Sequence, residues 1–396
     1  MIISDPIVIV GMARTPIGTF QGSLKDFSAP ELGSFAIRAC IERCGIRPEN
    51  IDEVLMGCVL TAGIGQAPAR QASLAAGLLE STSCTTVNKM CGSGMKTIML
   101  AHDSLIAGTN DIVIAGGLES MSKAPYILPK ARSGQRLGHG KMMDHMFIDG
   151  LEDAYDKGTL MGVFAERTAK KYGFSRESQD EFAIRSLNRA KDAINDGSFD
   201  DEVTQVSYSN HKGEFTIIHD DQPFKADLNK IPKLKPAFDK NGTVTAANSS
   251  SISDGAAAVI MMRESTAKKI KLEPIARFVG HSSFAQDPAW FTTAPVGAIK
   301  NLLNTIGWKS KDVELYEINE AFAVVVMAAM KDLNLPAQKV NIHGGACALG
   351  HPVGASGTRI LVTLISALKK SGKKRGVASL CIGGGEATAM ALEICS

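Results

Sequence analysis

Residues 88–95 read Asn-Lys-Met-Cys-Gly-Ser-Gly-Met and place one thiol, Cys91, between a β-branched stretch and an apolar helix. That helix is predicted to run to about Gly108 and to lead into a strand at residues 112–115, which two glycines follow. Helices alternating with such apolar strands are typical of α/β proteins whose parallel strands are buried on both faces. We therefore predict an α/β fold organised around this unit.

The second half of the chain repeats the same order of elements. His351 leads through residues 354–357, Gly-Ala-Ser-Gly, into a helix that ends near Gly372, and a strand at residues 377–382 precedes three glycines. Such a repeat predicts two similar halves related by a pseudo-twofold axis. Their packing would bring the helix entrance at Cys91 towards the one at His351. A separation beyond about two hydrogen-bond lengths, with no bridging water, would exclude His351 as the base of Cys91.

A segment that does not follow the repeated pattern of helix and strand separates the two halves. We predict an N-terminal half at residues 1–119 that is completed by residues 242–270, an inserted loop domain at residues 120–241, and a C-terminal half at residues 271–396. The insertion opens with a run that has basic but no acidic side chains, and which suits a phosphate-bearing ligand, a neighbouring subunit or a solvated loop. Its basic residues are Lys123, Lys130, Arg132, Arg136 and Lys141.

Two N-terminal capping patterns mark helices. Residues 28–31, Ser-Ala-Pro-Glu, form a capping box ahead of a helix, and residues 178–181, Ser-Gln-Asp-Glu, are predicted to open another helix inside the insertion. Cys40 and Cys44 share the first helix at a spacing that suits a metal ion, but no histidine or second cysteine pair lies near them. We predict that both cysteines pack in the helix core.

Composition bounds the class of protein. The chain has 396 residues, is 44% hydrophobic and 21% charged, and has a formal net charge of +2. This balance does not indicate nucleic acid or a membrane surface as a partner, although a small anionic ligand is compatible with it. Eight cysteines without a secretory signal predict free thiols in the cytoplasm. The short apolar run at residues 7–10 predicts a strand rather than a targeting peptide, and residues 321–330 are too short for a membrane span.

Several common catalytic formulas are absent from the sequence. The Walker spacing, the Gly-x-Gly-x-x-Gly turn after a strand and the Gly-x-Ser-x-Gly elbow do not occur. No His-x-x-x-His or Cys-x-x-Cys pair supports a metal site, so we expect no metal. Nucleotide hydrolysis, nicotinamide chemistry and serine hydrolysis therefore lose support.

Four residues are candidates for chemistry. Cys91 precedes a helix whose N-terminus favours a thiolate and can hold an oxyanion, although a free cysteine is also a common core residue. His351 is presented by a loop rich in glycine and proline, or it caps a helix or is a hydrogen-bonded core histidine. Cys381 ends an apolar strand before three glycines, where backbone amides can approach a ligand, or it is a strand-core residue. Asn319 precedes an apolar helix and is a polar site residue or an N-cap.

Five ordered motifs closely resemble the thiolase family, and the resemblance runs essentially from end to end of the chain. They are residues 88–97, 245–250, 319–323, 344–357 and 381–385. The resemblance implies a thiolase fold, with two βαβαβαββ halves stacked as α-β-α-β-α layers and an inserted loop domain. Residues 354–357 and the compact length are similar to the biosynthetic acetoacetyl-CoA branch.

The resemblance also implies a reaction. Cys91, deprotonated by His351, would take the acetyl group of acetyl-CoA, and Cys381 would remove a proton from a second acetyl-CoA to give acetoacetyl-CoA and CoA. Asn319 would hold a water that, with His351, binds the enolate, while the amides of Cys91 and Gly383 bind the tetrahedral oxyanion. Coenzyme A is then substrate and product, and no resident cofactor is needed. Decarboxylating ketoacyl synthases need no base at the position of Cys381.

Other residues resemble the substrate contacts of the family, although each could also be a core or loop residue. Ser250 looks like a contact to the pantetheine arm, and Phe238 and Phe322 look like pocket walls. Further candidate contacts to the acyl group or CoA are Met161, Leu151 and Lys225.

The sequence departs from the family pattern at two places. Leu160 stands where a histidine is usual, after a loop at residues 153–160 that is one residue longer, and this change bears on the acyl pocket. Residues 220–225 lack the usual Pro-Arg, which leaves Lys225 as a weaker substitute for a bidentate arginine.

Three functions follow as alternatives: an acetyl-CoA C-acetyltransferase, a degradative thiolase for longer 3-ketoacyl-CoA, and an acyl-CoA-binding protein without turnover. The resemblance implies a homotetramer in fatty acid metabolism, with the basic run after Ser120 as a contact between dimers.

Overall fold

The computed structural model describes residues 5–210 and 213–395 of the chain. Its strands are β1 (Ile7–Arg14), β2 (Gly18–Thr19), β3 (Glu53–Gly57), β4 (Ser83–Val87), β5 (Ile112–Ser120), β6 (Tyr126–Ile127), β7 (Met143–Asp144), β8 (Val206–Asn210), β9 (Gly213–Ile217), β10 (Ser253–Arg263), β11 (Ala276–Ala285), β12 (Leu315–Ile318), β13 (Arg375–Ile382) and β14 (Glu386–Ile394). Its α-helices are α1 (Ala29–Cys44), α2 (Pro68–Ala75), α3 (Ser93–Ala107), α4 (Met161–Tyr172), α5 (Arg176–Asn195), α6 (Gln222–Lys225), α7 (Glu264–Ile270), α8 (Ala294–Ile306), α9 (Ala323–Leu333), α10 (Ala346–Leu349) and α11 (Ser356–Lys370). The strand predicted at residues 7–10 is confirmed by β1, whereas residues 1–4 lie outside the described part.

The main sheet consists of two similar halves. One has the order β1-β10-β5-β3-β4 and the other the order β11-β14-β13-β12, and they join where Val8 pairs with Arg277 and Ile9 with Ala276. In the second half, the parallel bridge between Tyr316 and Val340 takes the place of the fifth strand. Each half therefore follows a βαβαβαββ order, which confirms the predicted repeat.

Helices α3 and α11 lie between the two halves of the sheet. Helix α3 contacts β3, β5 and β10, while α11 contacts β10 on one side and β12 and β13 on the other. Their apolar side chains, such as Met95 and Ile360, share one core with strand residues from both halves. Helices α1 and α2 cover the outer face of the first half, and α8 and α9 cover that of the second. This arrangement confirms the predicted α-β-α-β-α layers.

The two capping predictions have different outcomes. The capping box at Ser28 is confirmed, because its hydroxyl accepts the Glu31 N–H and the Glu31 carboxylate accepts the Ser28 N–H. The predicted start at Ser178 is wrong. Helix α5 begins at Arg176, since the Ser175 hydroxyl accepts the Ser178 N–H at 3.2 Å and so serves as the cap.

The segment between β5 and β10 contains two short hairpins, β6–β7 and β8–β9, and the helices α4, α5 and α6. The division of the chain into residues 1–119, 120–241, 242–270 and 271–396 stays a prediction. Within the described ranges, no helix combines the length and the apolar character needed to cross a bilayer.

Candidate active site

The entrances of α3 and α11 are in direct contact. Thr358 donates a hydrogen bond from Oγ1 to the Gly94 carbonyl at 2.9 Å, and a Cβ on Gly94 would lie only 2.8 Å from the Gly354 carbonyl oxygen. Glycine is required there because the two backbones leave no room for a side chain. This contact brings the segment that carries Cys91 against the segment that carries His351, as the repeat predicts.

A tight turn presents Cys91 ahead of α3. Met90 has a left-handed backbone with φ 47°, and its N–H donates to Asn88 Oδ1 at 2.9 Å. The Ser93 hydroxyl accepts the Lys89 N–H at 2.8 Å and donates to the Met90 carbonyl at 2.6 Å. These bonds hold the turn, so Cys91 keeps a fixed position and a partly exposed surface.

The thiol of Cys91 is protonated at neutral pH. Burial raises the pKa of Cys91 to about 11, and the carboxylate of Glu119 adds to this rise, while the backbone N–H groups of Gly383 and Cys91 oppose it. The backbone N–H groups thus favour the thiolate in the predicted direction, but burial outweighs them in the free site. A base must accept the thiol proton before Cys91 can act as a nucleophile.

Cys381 shares this site with Cys91. It ends β13 in full burial, and burial followed by the nearby charge of Cys91 raises the pKa of Cys381 well above its usual range. A Cβ on Gly92 would lie 2.4 Å from Ile382 Cδ1, so the turn at Cys91 touches the end of β13. The backbone N–H of Gly383 faces the Cys91 sulfur. The structure thus brings together both cysteines and Gly383, as predicted.

His351 is a buried, neutral imidazole. Its Nδ1 lies 2.5 Å from Ser356 Oγ, and that oxygen lies 3.0 Å from the Pro352 carbonyl. Burial, followed by the charge of Arg359, lowers the pKa of His351 to about 3. When Ser356 donates to Pro352 it accepts from Nδ1–H, which leaves Nε2 with a free lone pair.

The Nε2 atom of His351 has no hydrogen-bond partner among the described residues. It therefore makes no hydrogen bond with the Cys91 thiol in this structure, and its assignment as the base of Cys91 stays a prediction. Catalytic hydrogen bonds that are absent in a free enzyme often form only in the substrate complex.

Asn319 lies beside His351 at the end of β12. Its N–H donates to the Ser379 carbonyl at 3.0 Å, and its Nδ2 is 3.5 Å from His351 Nδ1. Helix α9 begins at Ala323 with Phe322 in the capping position, which excludes the alternative that Asn319 is an N-cap. The structure therefore places Asn319 in the site.

Sequence reasoning missed Arg359. This side chain is fully buried on α11 and donates from Nη2 to Asn319 Oδ1 at 3.4 Å. Its Nη1 lies 4.0 Å from Glu317, which is itself buried on β12. A charged residue in the first turn of an otherwise apolar helix, at residues 356–368, was the signal that could have found it.

Aromatic side chains line the site beside Cys381. Phe322 shares a buried cluster with Cys381, and Phe238 packs edge-on against Phe322 with ring centroids 6.1 Å apart. Met161 joins this cluster, and its sulfur lies 3.4 Å from the position that a Cβ on Gly383 would take. The three predicted pocket residues are therefore brought together. Phe291 also belongs to the cluster and was missed, since nothing in its sequence context distinguishes it from a core residue.

The other predicted contacts fall in different places. Leu151 packs with Cys91 in a second apolar cluster. Ser250 donates its N–H to the Ala321 carbonyl at 2.9 Å, next to the Asn319 segment. Lys225 belongs to neither cluster, because it is largely exposed and pairs with Asp221 at 3.2 Å. The structure therefore does not bring Lys225 to the two cysteines.

The loop before α4 places an aromatic ring near the glycines that follow Cys381. Glu152 and Leu160 pair across its base, and Tyr155 at its tip is 74% exposed. The Cε2 atom of Tyr155 lies 4.0 Å from the position that a Cβ on Gly384 would take. The loop thus reaches the glycines that follow Cys381, and its contact with the acyl group stays a prediction.

Among the described residues, one group has the spacing of metal ligands. Asp103 Oδ1 lies 3.2 Å from His102 Nδ1 and 2.9 Å from His281 Nε2. The Asp103 carboxylate is already within hydrogen-bond distance of both imidazoles. The group does not belong to the cysteine site. The expectation of no metal in catalysis stays a prediction.

Comparison with known proteins agrees with this geometry. Residues 7–265 match the model of the thiolase N-terminal domain, and residues 272–394 match that of the thiolase C-terminal domain. The chain belongs to the thiolase family. This thiolase is 48% identical to the acetyl-CoA acetyltransferase of Cupriavidus necator, over 98% of the chain and 99% of that protein. It is also 48% identical to the mitochondrial acetyl-CoA acetyltransferase of Rattus norvegicus, over 98% of the chain and 91% of that protein.

Solved structures give the same result for the fold. The acetyl-CoA acetyltransferase of Bacillus anthracis superposes with a TM-score of 0.96 at 40% identity, with 99% of both chains covered. That of Syntrophomonas wolfei gives a TM-score of 0.96 at 39% identity, with 99% of this chain and 100% of that one covered. The thiolase fold predicted from the sequence is therefore confirmed.

Proposed function

We propose that this thiolase is an acetyl-CoA C-acetyltransferase, which joins two acetyl-CoA molecules reversibly into acetoacetyl-CoA and CoA. The observation that carries the proposal is that Cys381 lies beside Cys91, while the loop of His351, a neutral imidazole, packs against the helix entrance that follows Cys91. Nucleophile, carbon base and thiol base are thus separate groups. The names of the similar proteins from C. necator and B. anthracis support the same reaction.

The first half-reaction acetylates Cys91. The free lone pair on His351 Nε2 accepts the thiol proton, and the thiolate attacks the acetyl-CoA carbonyl. The N–H groups of Cys91 and Gly383 hold the resulting oxyanion. The C–S bond to CoA then breaks, and the CoA thiolate takes the proton back from His351. Because His351 is neutral at rest, it can accept and return this proton at neutral pH.

The second half-reaction forms the carbon–carbon bond. Cys381 is a thiol at rest because its pKa is high, so it first loses its proton to solvent and regains one at the end of the cycle. Its thiolate is a strong base for the methyl carbon of the second acetyl-CoA. The enolate attacks the acetyl carbonyl on Cys91, and the released Cys91 thiolate receives the proton from Cys381. If the Ser356 hydroxyl turns to donate to Nδ1, His351 carries its proton on Nε2 and can bind the enolate oxygen together with a water held by Asn319.

The side chains around the proposed acyl pocket favour a short acyl group as substrate. Phe238, Phe322 and Phe291 occupy the space beside Cys381, and Met161 borders Gly383. Ser250 and Leu151 are proposed to contact the pantetheine arm and the acyl side of the pocket, whereas Lys225 would contact CoA only at the exposed end of α6. All proton transfers use side chains of the chain itself, so we propose no resident cofactor.

A degradative thiolase of broader chain length is the second candidate. The observation that favours it is the longer loop with Tyr155, which replaces the usual histidine segment at the pocket edge. A Staphylococcus aureus protein named as a probable acetyl-CoA acyltransferase is also 46% identical to the chain. The two candidates share their catalytic residues and differ in pocket width.

Thiolysis separates the candidates. We would measure CoA-dependent cleavage of acetoacetyl-CoA beside a long-chain 3-ketoacyl-CoA, with the wild type and C91S. A preference for the four-carbon substrate that is lost in C91S supports the acetyltransferase. A long-chain preference moves the protein to the degradative branch, and no turnover of either substrate supports an acyl-CoA-binding protein.

For the assembly we propose a homotetramer built as a dimer of dimers. Residues 120–143 combine basic charge with exposed apolar side chains, and such patches mark protein interfaces. The exposed apolar residues there are Tyr126, Leu128, Leu137 and Met142. Light scattering should give a tetramer for the wild type and a dimer for the double variant L128E/L137E, whereas a monomeric wild type would contradict the proposal.

For the setting we propose the cytoplasm, where fatty acid metabolism supplies acetyl-CoA, and we propose neither nucleic acid nor a membrane as a partner. The eight cysteines are free thiols in the structure, and thiols persist in a reducing compartment.

A further inference from the structure

Glu119 is a buried carboxylate that joins three separate segments around the site. It lies near the C-terminal end of β5 with no exposed surface. Its oxygens accept the N–H groups of Val59 at 3.0 Å, Leu60 at 3.1 Å and Gly354 at 2.8 Å. Within the described residues it pairs with no cation. The Cys58 thiol also donates to Oε1 at 3.7 Å, so three backbone amides and one thiol offset the cost of burying this charge.

The three donors belong to the surroundings of both proposed catalytic groups. Val59 and Leu60 follow β3 and pack in the same apolar cluster as Cys91. Gly354 lies in the loop that starts at His351. The Glu119 carboxylate therefore fixes the segment at Val59 and Leu60, beside Cys91, relative to the loop that carries His351.

The fit around Gly354 is close. A Cβ at this residue would lie 2.8 Å from Glu119 Oε2 and 2.9 Å from the Leu118 carbonyl oxygen. The carboxylate thus approaches the backbone of the His351 loop at a distance that only glycine permits. This close contact restricts the His351 loop to a single position.

We propose that Glu119 is a positioning residue for the reaction: its carboxylate holds the His351 loop against the segment beside Cys91, and it is a negative charge close to that thiol. The first part rests on the proposed function, whereas the second concerns Cys91 alone.

The negative charge of Glu119 opposes the ionisation of Cys91. The ionisable groups near Cys91 include Glu119 from β5, Cys381 from β13 and Lys89 of its own turn, which pairs with Glu386 of β14; the proposed base His351 lies in the loop opposite. The carboxylate of Glu119 contributes to the raised pKa of Cys91, so removing its charge lowers that pKa. Burial raises the pKa of Glu119 itself to about 7, and the group is therefore ionised in the alkaline range where Cys91 titrates.

The test is Glu119→Gln, with two readouts. Alkylation of Cys91 by iodoacetamide is followed against pH on the tryptic peptide of residues 90–96, which carries no other cysteine. We expect its midpoint to move to lower pH by about one unit, and kcat for acetoacetyl-CoA thiolysis to fall ~100-fold at little changed KM, because the base is misplaced. Because unfolding also moves the Cys91 midpoint to lower pH, both readouts are taken under conditions in which circular dichroism and thermal unfolding show E119Q to be fully folded.

Two further variants complete the design. Glu119→Asp keeps the charge but withdraws it by one methylene, so we expect the kcat loss without the shift in the alkylation profile; it also carries the positioning test should E119Q not fold. Asp52→Asn is the matched control. Asp52 accepts the N–H groups of Asp111 and Ile112 at the opposite end of β5, and its loss should change neither readout.

Wild-type kcat and an unshifted profile in E119Q would overturn the proposal, as would a shift to higher pH. A wild type that is alkylated at Cys91 but turns over no 3-ketoacyl-CoA would sink the proposed function instead, while the alkylation profile of E119Q would still decide the role of the Glu119 charge.

Discussion

His351 Nδ1 and Ser356 Oγ lie 2.5 Å apart, and both groups are buried. The serine is five residues along the chain, in the first turn of α11, and its oxygen also reaches the Pro352 carbonyl. The imidazole is therefore held by a hydroxyl that can either accept from it or donate to it. This choice decides which ring nitrogen carries the proton.

The first prediction concerns this contact. Ser356→Ala removes the partner of Nδ1, so the tautomer and ring orientation of His351 are no longer set. We expect kcat for acetoacetyl-CoA thiolysis to fall about tenfold or more, since general base catalysis depends on this geometry. Ser366→Ala is the control, because Ser366 is buried on the same helix and its hydroxyl has no partner among the described residues. Equal activity of the two variants would contradict the role of Ser356.

The second prediction concerns pH. The pKa of Cys91 is raised to about 11, so alkylation of Cys91 in the free enzyme should keep rising well past pH 9. In enzyme unfolded with guanidinium chloride, the profile of the same peptide should return to the ordinary value of about 8.5. A midpoint below 8.5 in the folded enzyme would show that the helix N-terminus dominates after all.

The third prediction concerns Arg359. Arg359→Met removes the hydrogen bond to Asn319 Oδ1 and leaves the buried Glu317 without its nearest cation. We expect a loss of about 3–5 kcal/mol in the free energy of unfolding, measured by urea denaturation. The charge of Arg359 lowers the pKa of His351, so its removal should move the acid limb of Cys91 acetylation to higher pH.

Arg375→Met provides the comparison for Arg359. Arg375 is partly exposed and pairs with Glu393, so its loss should cost less than about 1 kcal/mol. If both arginine variants lose similar stability, or if the acid limb does not move in R359M, the assigned role of Arg359 is wrong.

The fourth prediction concerns the contact between the helix entrances. A Cβ on Gly357 would lie 2.3 Å from the Met95 backbone nitrogen, so Gly357→Ala must push α3 and α11 apart. We expect about 1–3 kcal/mol of destabilisation together with a loss of thiolysis. In Gly150→Ala the nearest atom would be 3.4 Å away, an ordinary contact, and thermal unfolding should stay close to that of the wild type. A G357A enzyme as stable and active as the wild type would contradict the close contact.

Much of the fold was predictable because the same local pattern occurs twice. The helix and strand that follow Cys91 and those that follow His351 have the apolar periodicity and glycines that define α/β units, and these signals are local. The start of α5 was missed because Ser175 and Ser178 are both good caps. Only the hydrogen bond between them shows which residue is the cap.

The site residues that lie within the five motifs could be predicted from the sequence. The ionisation of Cys91 depends on burial by segments distant in sequence, which the helix N-terminus alone does not reveal. The contacts of Arg359 and Glu119 arise in the same way, since each joins segments that meet only in the folded chain. Phe291 has no sequence signal that separates a pocket wall from a core residue.

The most direct test of the central claim is the fate of the acetyl group in two variants, read by mass spectrometry of the peptide of residues 90–96 after incubation with acetyl-CoA. We predict that C381S gains one acetyl group on Cys91 but forms no acetoacetyl-CoA. The same peptide of C91S should be acetylated far more slowly, if at all. Condensation by C381S at the wild-type rate, or wild-type turnover without an acetylated Cys91, would contradict the division of labour between the two thiols.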